Sequence, residues 1–254
     1  MTLFDLTGRT AVVTGSSRGI GYALALGLLE AGARTVVHGR DAEVAAASAD
    51  RLREITGGEV LVETFDVTDA EAVDAGIGRI ERVWGIPDIC VNNAGIQRRA
   101  PFTEFAVSDW HDLVATNLTS AFLVGQRVAR GMVTRGSGKI INIGSVQSRL
   151  ARPHITPYSA TKGGVVMLTQ GMCADLGPHG IQTNALAPGY FATELTRVLV
   201  EDADFSAWVA QRTPAGRWGQ VHELVGALVF LASSASDYVN GQTIYVDGGM
   251  TAVV

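Results

Sequence analysis

Thr10-Ala11-Val12-Val13-Thr14-Gly15-Ser16-Ser17-Arg18-Gly19-Ile20-Gly21 is the stretch that decides the fold of this chain. Its first five residues are β-branched or small, the composition of a short buried strand. Glycines then turn the backbone, and residues 19–31 continue as an Ala/Leu-rich helix. A strand that feeds a helix through glycines leaves backbone N–H groups at the helix N-terminus, where a pyrophosphate can approach the chain closely. The spacing runs Gly15, Gly19, Gly21, which is G-x-x-x-G-x-G and differs from the G-x-G-x-x-G dinucleotide fingerprint. An ordinary tight turn needs glycines too, so the weight rests on where this turn falls in the chain.

Outward from it, short β-rich runs alternate with helical stretches. Arg34-Thr35-Val36-Val37-His38, Val60-Leu61-Val62-Glu63-Thr64, Asp88-Ile89-Cys90-Val91-Asn92, Gly138-Lys139-Ile140-Ile141-Asn142-Ile143, Ile181-Gln182-Thr183-Asn184-Ala185 and Thr243-Ile244-Tyr245-Val246 read as strands. Helices are predicted over 41–55, 69–84, 108–135 and 156–178. Strands this apolar are buried on both faces, as in a parallel sheet covered by helices. The pattern predicts an α/β fold: one domain over 1–254, a Rossmann-like doubly wound parallel sheet with helices on both faces and ligands at the carboxyl ends of the strands. Residues 190–217 break the rhythm. This long excursion after the sixth strand, opened by Pro188-Gly189, reads as a substrate lid.

The chain has 254 residues, 47% of them hydrophobic, enough for a large core, and a net charge of −5. No basic stretch tracks a phosphate backbone, so nucleic acid is not an expected partner. No apolar run approaches the roughly 20 residues of a bilayer span, and the first eight residues have no signal-peptide pattern. Cys90 and Cys173 form no C-x-x-C, and two buried thiols fit a reducing cytoplasm. No His/Cys/Glu cluster has metal-ligand spacing, so no metal is expected.

The strand ends carry the chemistry. Tyr158 and Lys162, four apart, share a helix face. A phenol titrates near 10, and a neighbouring ammonium in a partly dry site can lower it by roughly three units, which makes an acid/base matched to a hydroxyl–carbonyl interconversion. Ser145 places a hydroxyl at the end of the fifth strand. Asn92-Asn93-Ala94-Gly95 follows the fourth strand, where small residues let a ribose or adenosine lie on the backbone. Asn117 falls inside the predicted fourth helix, where an Asn is ordinarily solvated.

In this order, over nearly the whole chain, these residues resemble the short-chain dehydrogenase/reductase family. The resemblance implies that Tyr158 is the acid/base, that Ser145 orients the substrate oxygen, that Lys162 binds the nicotinamide ribose and tunes Tyr158, and that Asn117 holds a water in a proton relay. The implied cofactor site comprises Gly15, Ser17, Arg18, Gly19, Ile20, Gly21, Arg40, Asp66, Val67, Asn93, Ala94, Gly95, Tyr158, Lys162, Pro188 and Gly189, with Asp66 and Val67 flanking the adenine. At the end of the second strand, where an acidic residue would hold a ribose 2′-hydroxyl, the chain reads His38-Gly39-Arg40. With Arg18 in the glycine turn, two guanidinium groups favour a 2′-phosphate, hence NADP(H). Asp41 reads as the cap of the next helix.

Arg98 and Arg99 follow Gly95 closely, and Arg149, Arg152 and His154 lie between Ser145 and Tyr158. Cations on two loops predict an anionic substrate, with Arg98, Arg99, Ser145, Arg152 and Tyr158 as its contacts. Within the family, the runs 92–99, 217–219 and 245–249 resemble the branch that interconverts gluconate and 5-keto-gluconate, a small sugar acid. Competing readings are a 3-oxoacyl thioester reductase, a dehydrogenase of a deoxy-ketogluconate, and a dinucleotide-sensing regulator without chemistry. The apolar tail Met250-Thr251-Ala252-Val253-Val254 predicts burial at a subunit interface of a homotetramer, and the family resemblance points to two-fold interfaces of this kind.

Overall fold

Val12 and Val13 are neighbours on β1 (Thr10–Val13), and both are wholly buried. Side chains alternate across a strand, so Val13 enters one apolar layer and Val12 the other. Burying each contributes about 1.5–3 kcal/mol. The computed structural model of the protein describes residues 2–254, and Met1 lies outside them. Its main sheet has seven parallel strands in the order β3-β2-β1-β4-β5-β6-β9. Besides β1 these are β2 (Arg34–Gly39), β3 (Val60–Thr64), β4 (Ile89–Asn92), β5 (Gly138–Ile143), β6 (Ile181–Pro188) and β9 (Thr243–Val246). Against one face pack α1 (Gly19–Glu30), α2 (Ala42–Thr56) and α9 (Val225–Ala232), through Leu24, Leu28, Leu52, Leu228 and Leu231. Against the other lie α3 (Ala70–Trp84) and α5 (Ser120–Arg135), through Ile77, Ile80, Val124, Val128 and Met132. The strand order reverses between β1 and β4, which opens a crevice at their carboxyl ends.

Local chemistry sets the helix ends. Asp41 caps α2 as its sequence position predicts, its Oδ1 accepting from Glu43 N at 3.0 Å and Val44 N at 3.1 Å. Asp69 does the same for α3. Gly57 and Gly136 close α2 and α5 in the left-handed region.

Three features depart from the sequence reading. The helix predicted over 108–135 is interrupted: α4 (Val107–Val114) meets a π turn at Ala115–Thr119 before α5 continues. β6 runs on to Pro188, and α9 is a helix that the reading lacks. The excursion after β6 contains β7 (Phe191–Ala192), α7 (Arg197–Glu201) and α8 (Ala203–Arg212), and β7 pairs with β8 (Gly219–Gln220) to tie its two ends together. In the tail, Met250 is buried within the chain itself, while Val253 and Val254 are exposed. Among the described residues no helix is long and apolar enough to cross a membrane, and no cluster of three or more His, Cys, Asp or Glu residues could hold a metal ion.

Candidate active site

The turn after β1 is held from two sides. Asn93, at the end of β4, donates from Nδ2 to Thr14 O at 2.9 Å and Gly15 O at 3.0 Å. Its backbone N–H donates to Thr14 Oγ1 at 3.0 Å. From the β2 side, Gly15 N–H donates to His38 Nδ1 at 3.1 Å, and His38 Nε2 pairs with Phe65 O at 3.0 Å. His38 therefore carries its proton on Nε2, and burial pushes its pKa down to about 4. Gly15 and Gly19 have φ of 63° and 59°, a region that favours glycine. Gly21 is required for another reason: a Cβ there would collide with Gly15 O and Asn93 Nδ2.

This turn fits a dinucleotide. α1 starts at Gly19 with no side-chain cap from Arg18, so the first-turn N–H groups are available to an anion. A Cβ at Gly19 would meet nothing within 4 Å, which leaves open room beside the backbone. Arg18 and Arg40 are exposed, and neither forms an ion pair among the described residues. Asp66 accepts from Thr68 N at 2.8 Å and Thr68 Oγ1 at 2.7 Å, and these bonds, with Arg40 adding a smaller pull, lower its pKa. Val67 is buried beside it. Pro188 ends β6, and Gly189 lies so close to Asp247 that a side chain would not fit.

Tyr158 and Lys162 lie on α6 (Thr156–Leu176), and the Ser145 hydroxyl acts on the Tyr158 phenol as a donor that favours its ionised form. Ser145 Oγ also accepts from Gln147 N at 3.1 Å. Lys162 differs from the sequence expectation. Its Nζ donates to Ile143 O at 2.7 Å and stands 5.8 Å from the centre of the Tyr158 ring. Burial lowers the ammonium to about 8 and raises the phenol, with only the Ser145 bond pulling the phenol back. The phenol is therefore not lowered in the protein alone, because desolvation outweighs the pull from Ser145.

Asn117 sits in the π turn, buried, not solvated. Its Oδ1 accepts from Ile96 N at 2.8 Å and its Nδ2 donates to Ile96 O at 3.0 Å and Thr161 Oγ1 at 3.3 Å. One side chain thus locks the loop after Gly95 onto α6, and the widened turn is what lets it reach.

The loop cations separate. Arg98 ion-pairs with Asp109 at 3.5 Å. Arg99 and Arg152 come together, because Ala100 N donates to His154 O at 3.2 Å and ties their loops. His154 is the one non-glycine among the described residues with positive φ, 68°, so this junction is strained. Burial lowers the Arg99 pKa and the Arg152 charge adds to that, while Tyr190 opposes it. Burial raises the Tyr190 pKa and the Arg152 charge opposes it. The Arg152 guanidinium lies 5.3 Å from the Phe205 ring centre, and its buried Nε has no partner. Neither arginine has a carboxylate partner among the described residues. Arg149 is exposed.

Sequence reading gave no role to Gln147, Tyr190, Phe205, Trp208 or Trp218. Gln147 is buried and donates to the Tyr190 hydroxyl at 3.4 Å. The four aromatic rings form one cluster with centres 5.4–6.1 Å apart, built largely from the excursion. The density of aromatics in residues 190–218 was the available signal. A cavity of about 350 Å³ lies at the opposite, amino-terminal edge of the sheet, lined by Asp88, Arg135, Lys139 and Asp237, and holds none of these residues.

Residues 15–251 match the family model described as Enoyl-(Acyl carrier protein) reductase. A gluconate 5-dehydrogenase of Gluconobacter oxydans is 59% identical over 98% of this chain and 97% of its own. A 5-keto-D-gluconate 5-reductase of Escherichia coli is 51% identical over 99% of both chains. Among solved structures, a gluconate 5-dehydrogenase of Burkholderia cenocepacia in complex with NADP and tartrate superposes with a TM-score of 0.97 at 59% identity, over 100% of this chain and 99% of that one. With the parallel sheet, the glycine turn and the Ser145, Tyr158 and Lys162 cluster in place, these matches identify the chain as a member of the short-chain dehydrogenase/reductase family.

Proposed function

We propose that the protein is an NADP(H)-dependent oxidoreductase that interconverts gluconate and 5-keto-gluconate. The observation that carries the substrate is the Arg99–Arg152 pair, two cations on loops tied by the Ala100 N–His154 O hydrogen bond and linked through Tyr190 and Gln147 to Ser145. A carboxylate relieves their repulsion and gives the buried Arg152 Nε an acceptor. The relatives named for gluconate and 5-keto-gluconate, and the hydroxy acid tartrate in the Burkholderia complex, support the same class. Arg18 and Arg40, exposed at the ends of β1 and β2, support NADP(H) over NAD(H), as does the NADP of that complex.

When bound, the nicotinamide supplies or accepts the hydride. Tyr158 gives its proton to the carbonyl oxygen in reduction and takes it from the hydroxyl in oxidation. Ser145 holds that oxygen in line. Lys162, fixed by Ile143 O, contributes positive charge to the phenolate and a donor to the cofactor ribose. The Asn117 side chain is committed to Ile96 and Thr161. Its share of a proton relay therefore falls to its backbone carbonyl. The excursion over 190–217 acts as a lid that places Phe205 over Arg152.

The decisive experiment follows nicotinamide absorbance with NADPH and NADH against 5-keto-gluconate, a deoxy-ketogluconate and an acetoacetyl thioester. Fastest turnover is expected with NADPH and 5-keto-gluconate. Preference for the thioester would replace this reading with the thioester reductase, and no turnover with any ketone would point to the sensor.

The same reading places the protein in the cytoplasm, where its two free thiols stay reduced. It also makes the protein a homotetramer. Val107, Trp110, Phe122 and Met167 expose apolar surface on α4, α5 and α6, and Val253 and Val254 expose more at the tail. Light scattering on the intact protein tests this, and a monomeric mass would end it.

A further inference from the structure

The route from the reacting oxygen to the arginine pair passes a residue that the reaction itself does not use. Gln147 follows Ser145 by two positions, is only 8% exposed, and spends its backbone N–H on Ser145 Oγ at 3.1 Å. Its Nε2 donates to the Tyr190 hydroxyl at 3.4 Å, and the Arg152 charge acts on that hydroxyl. The chain of contacts is thus Tyr158, Ser145, Gln147, Tyr190, Arg152. Gln147 Oε1 is buried without a partner, as is Arg152 Nε. Buried polar atoms of folded proteins nearly always find partners. Two orphans in one cluster, one acceptor and one donor, describe a ligand with complementary groups.

We infer that Gln147 is a specificity-determining residue whose Oε1 accepts a hydrogen bond from a substrate hydroxyl lying between the carboxylate and the reacting carbon. The inference rests on the proposed sugar-acid reading and refines it. With the reacting oxygen on Ser145 and Tyr158 and the carboxylate on Arg99 and Arg152, the middle of the carbon chain passes Gln147. A carboxamide oxygen can only accept. It rewards a hydroxyl there and leaves a ketone or a methylene unmatched, so the site selects a fully hydroxylated acid over a deoxygenated one. A pocket built to hydrogen-bond a hydroxyl discriminates strongly against an analogue that lacks it, because its own buried group is then left unpaired. No other residue in the cluster offers a free buried acceptor among the described residues.

The test compares kcat/KM for 5-keto-gluconate with that for the 3-deoxy-2,5-diketo acid of the same length, in wild type, Gln147→Met and Gln147→Asn. Methionine fills the volume without an acceptor, and asparagine keeps the amide but withdraws it. NADPH affinity of each variant, read by fluorescence, reports an intact fold. Wild type is expected to prefer 5-keto-gluconate. Either variant should lose roughly tenfold on that substrate and less than about twofold on the deoxy acid, so the preference collapses. Equal losses on both substrates, or an unchanged ratio in both variants, would overturn the inference while leaving the sugar-acid reading standing. A wild-type enzyme that reduces neither acid would overturn both.

Discussion

His38 offers the most quantitative test of the cofactor turn. Its ring lies 4.2 Å from that of Phe65, accepts from Gly15 N–H at 3.1 Å and donates to Phe65 O at 3.0 Å. Only the neutral imidazole satisfies both partners, since a proton on Nδ1 would face the Gly15 N–H. Burial accordingly holds its pKa at about 4, against an ordinary 6.5. The sign follows from proton counting. Between these two values the unfolded chain binds a proton that the folded chain refuses, so stability falls as pH drops through the window and levels off below it. The gap corresponds to about 3 kcal/mol, a large part of the roughly 5–15 kcal/mol that holds a protein folded. The assay is urea unfolding from about pH 7 to pH 4 at fixed protein concentration, for wild type and His38→Gln. The variant is less stable at neutral pH but lacks this titration. The advantage of wild type over it should therefore shrink by about 3 kcal/mol across the window. Carboxylates titrate alike in both proteins and cancel. Parallel stability curves would refute the reasoning, because His38 would then have no depressed pKa to express.

Three further outcomes are expected. Tyr158→Phe should lower kcat by about 10²–10⁴ with NADPH affinity retained, since the ring stays and only the proton goes; near-normal turnover in that variant would contradict the assigned acid/base. Arg40→Ala should weaken NADPH about tenfold or more and leave NADH little changed, as one charge-assisted contact is worth roughly 1.5–3 kcal/mol; equal losses in titrations of both cofactors would show that Arg40 does not read the 2′-phosphate. Gly21→Ala drives a methyl group into Gly15 O and Asn93 Nδ2, which should cost about 1–3 kcal/mol and lower Tm; an unchanged melting curve would mean the turn is not packed as described.

The fold was legible because its strands and helices differ in composition as well as period. β1 and β4 are runs buried on every side chain, and their glycine and asparagine endings mark the ligand edge. What stayed hidden depends on contacts remote in sequence. Nothing between Val107 and Arg135 breaks a helical pattern, yet Asn117 reaches Ile96 only through a π turn. α9 reads Val-Gly-Ala-Leu-Val-Phe-Leu-Ala, apolar almost all round, so it shows no amphipathic period; Leu228 and Leu231 find the core while α1 covers another flank. Arg98 and Arg99 are equivalent as sequence, and Asp109 separates them by drawing only the first into an ion pair. Gln147 carries no motif. Its significance lies in an atom without a partner, which no spacing of residues can announce.

The same limit applies to the pair with which the chemistry began. A four-residue spacing puts Tyr158 and Lys162 on one helix face, but it does not say how their charges are solvated. In the folded chain desolvation works against both ions: the phenol rises and the ammonium falls to about 8. The one hydrogen bond that favours the phenolate comes from Ser145, and Lys162 Nζ is engaged with Ile143 O, 5.8 Å from the ring centre. Left to itself the site therefore holds Tyr158 as an acid, the state that reduction of a ketone requires. Making it a base requires positive charge or hydrogen bonds from what binds beside it. The four-residue spacing supplies the partners, and burial makes their activation conditional on an occupied site.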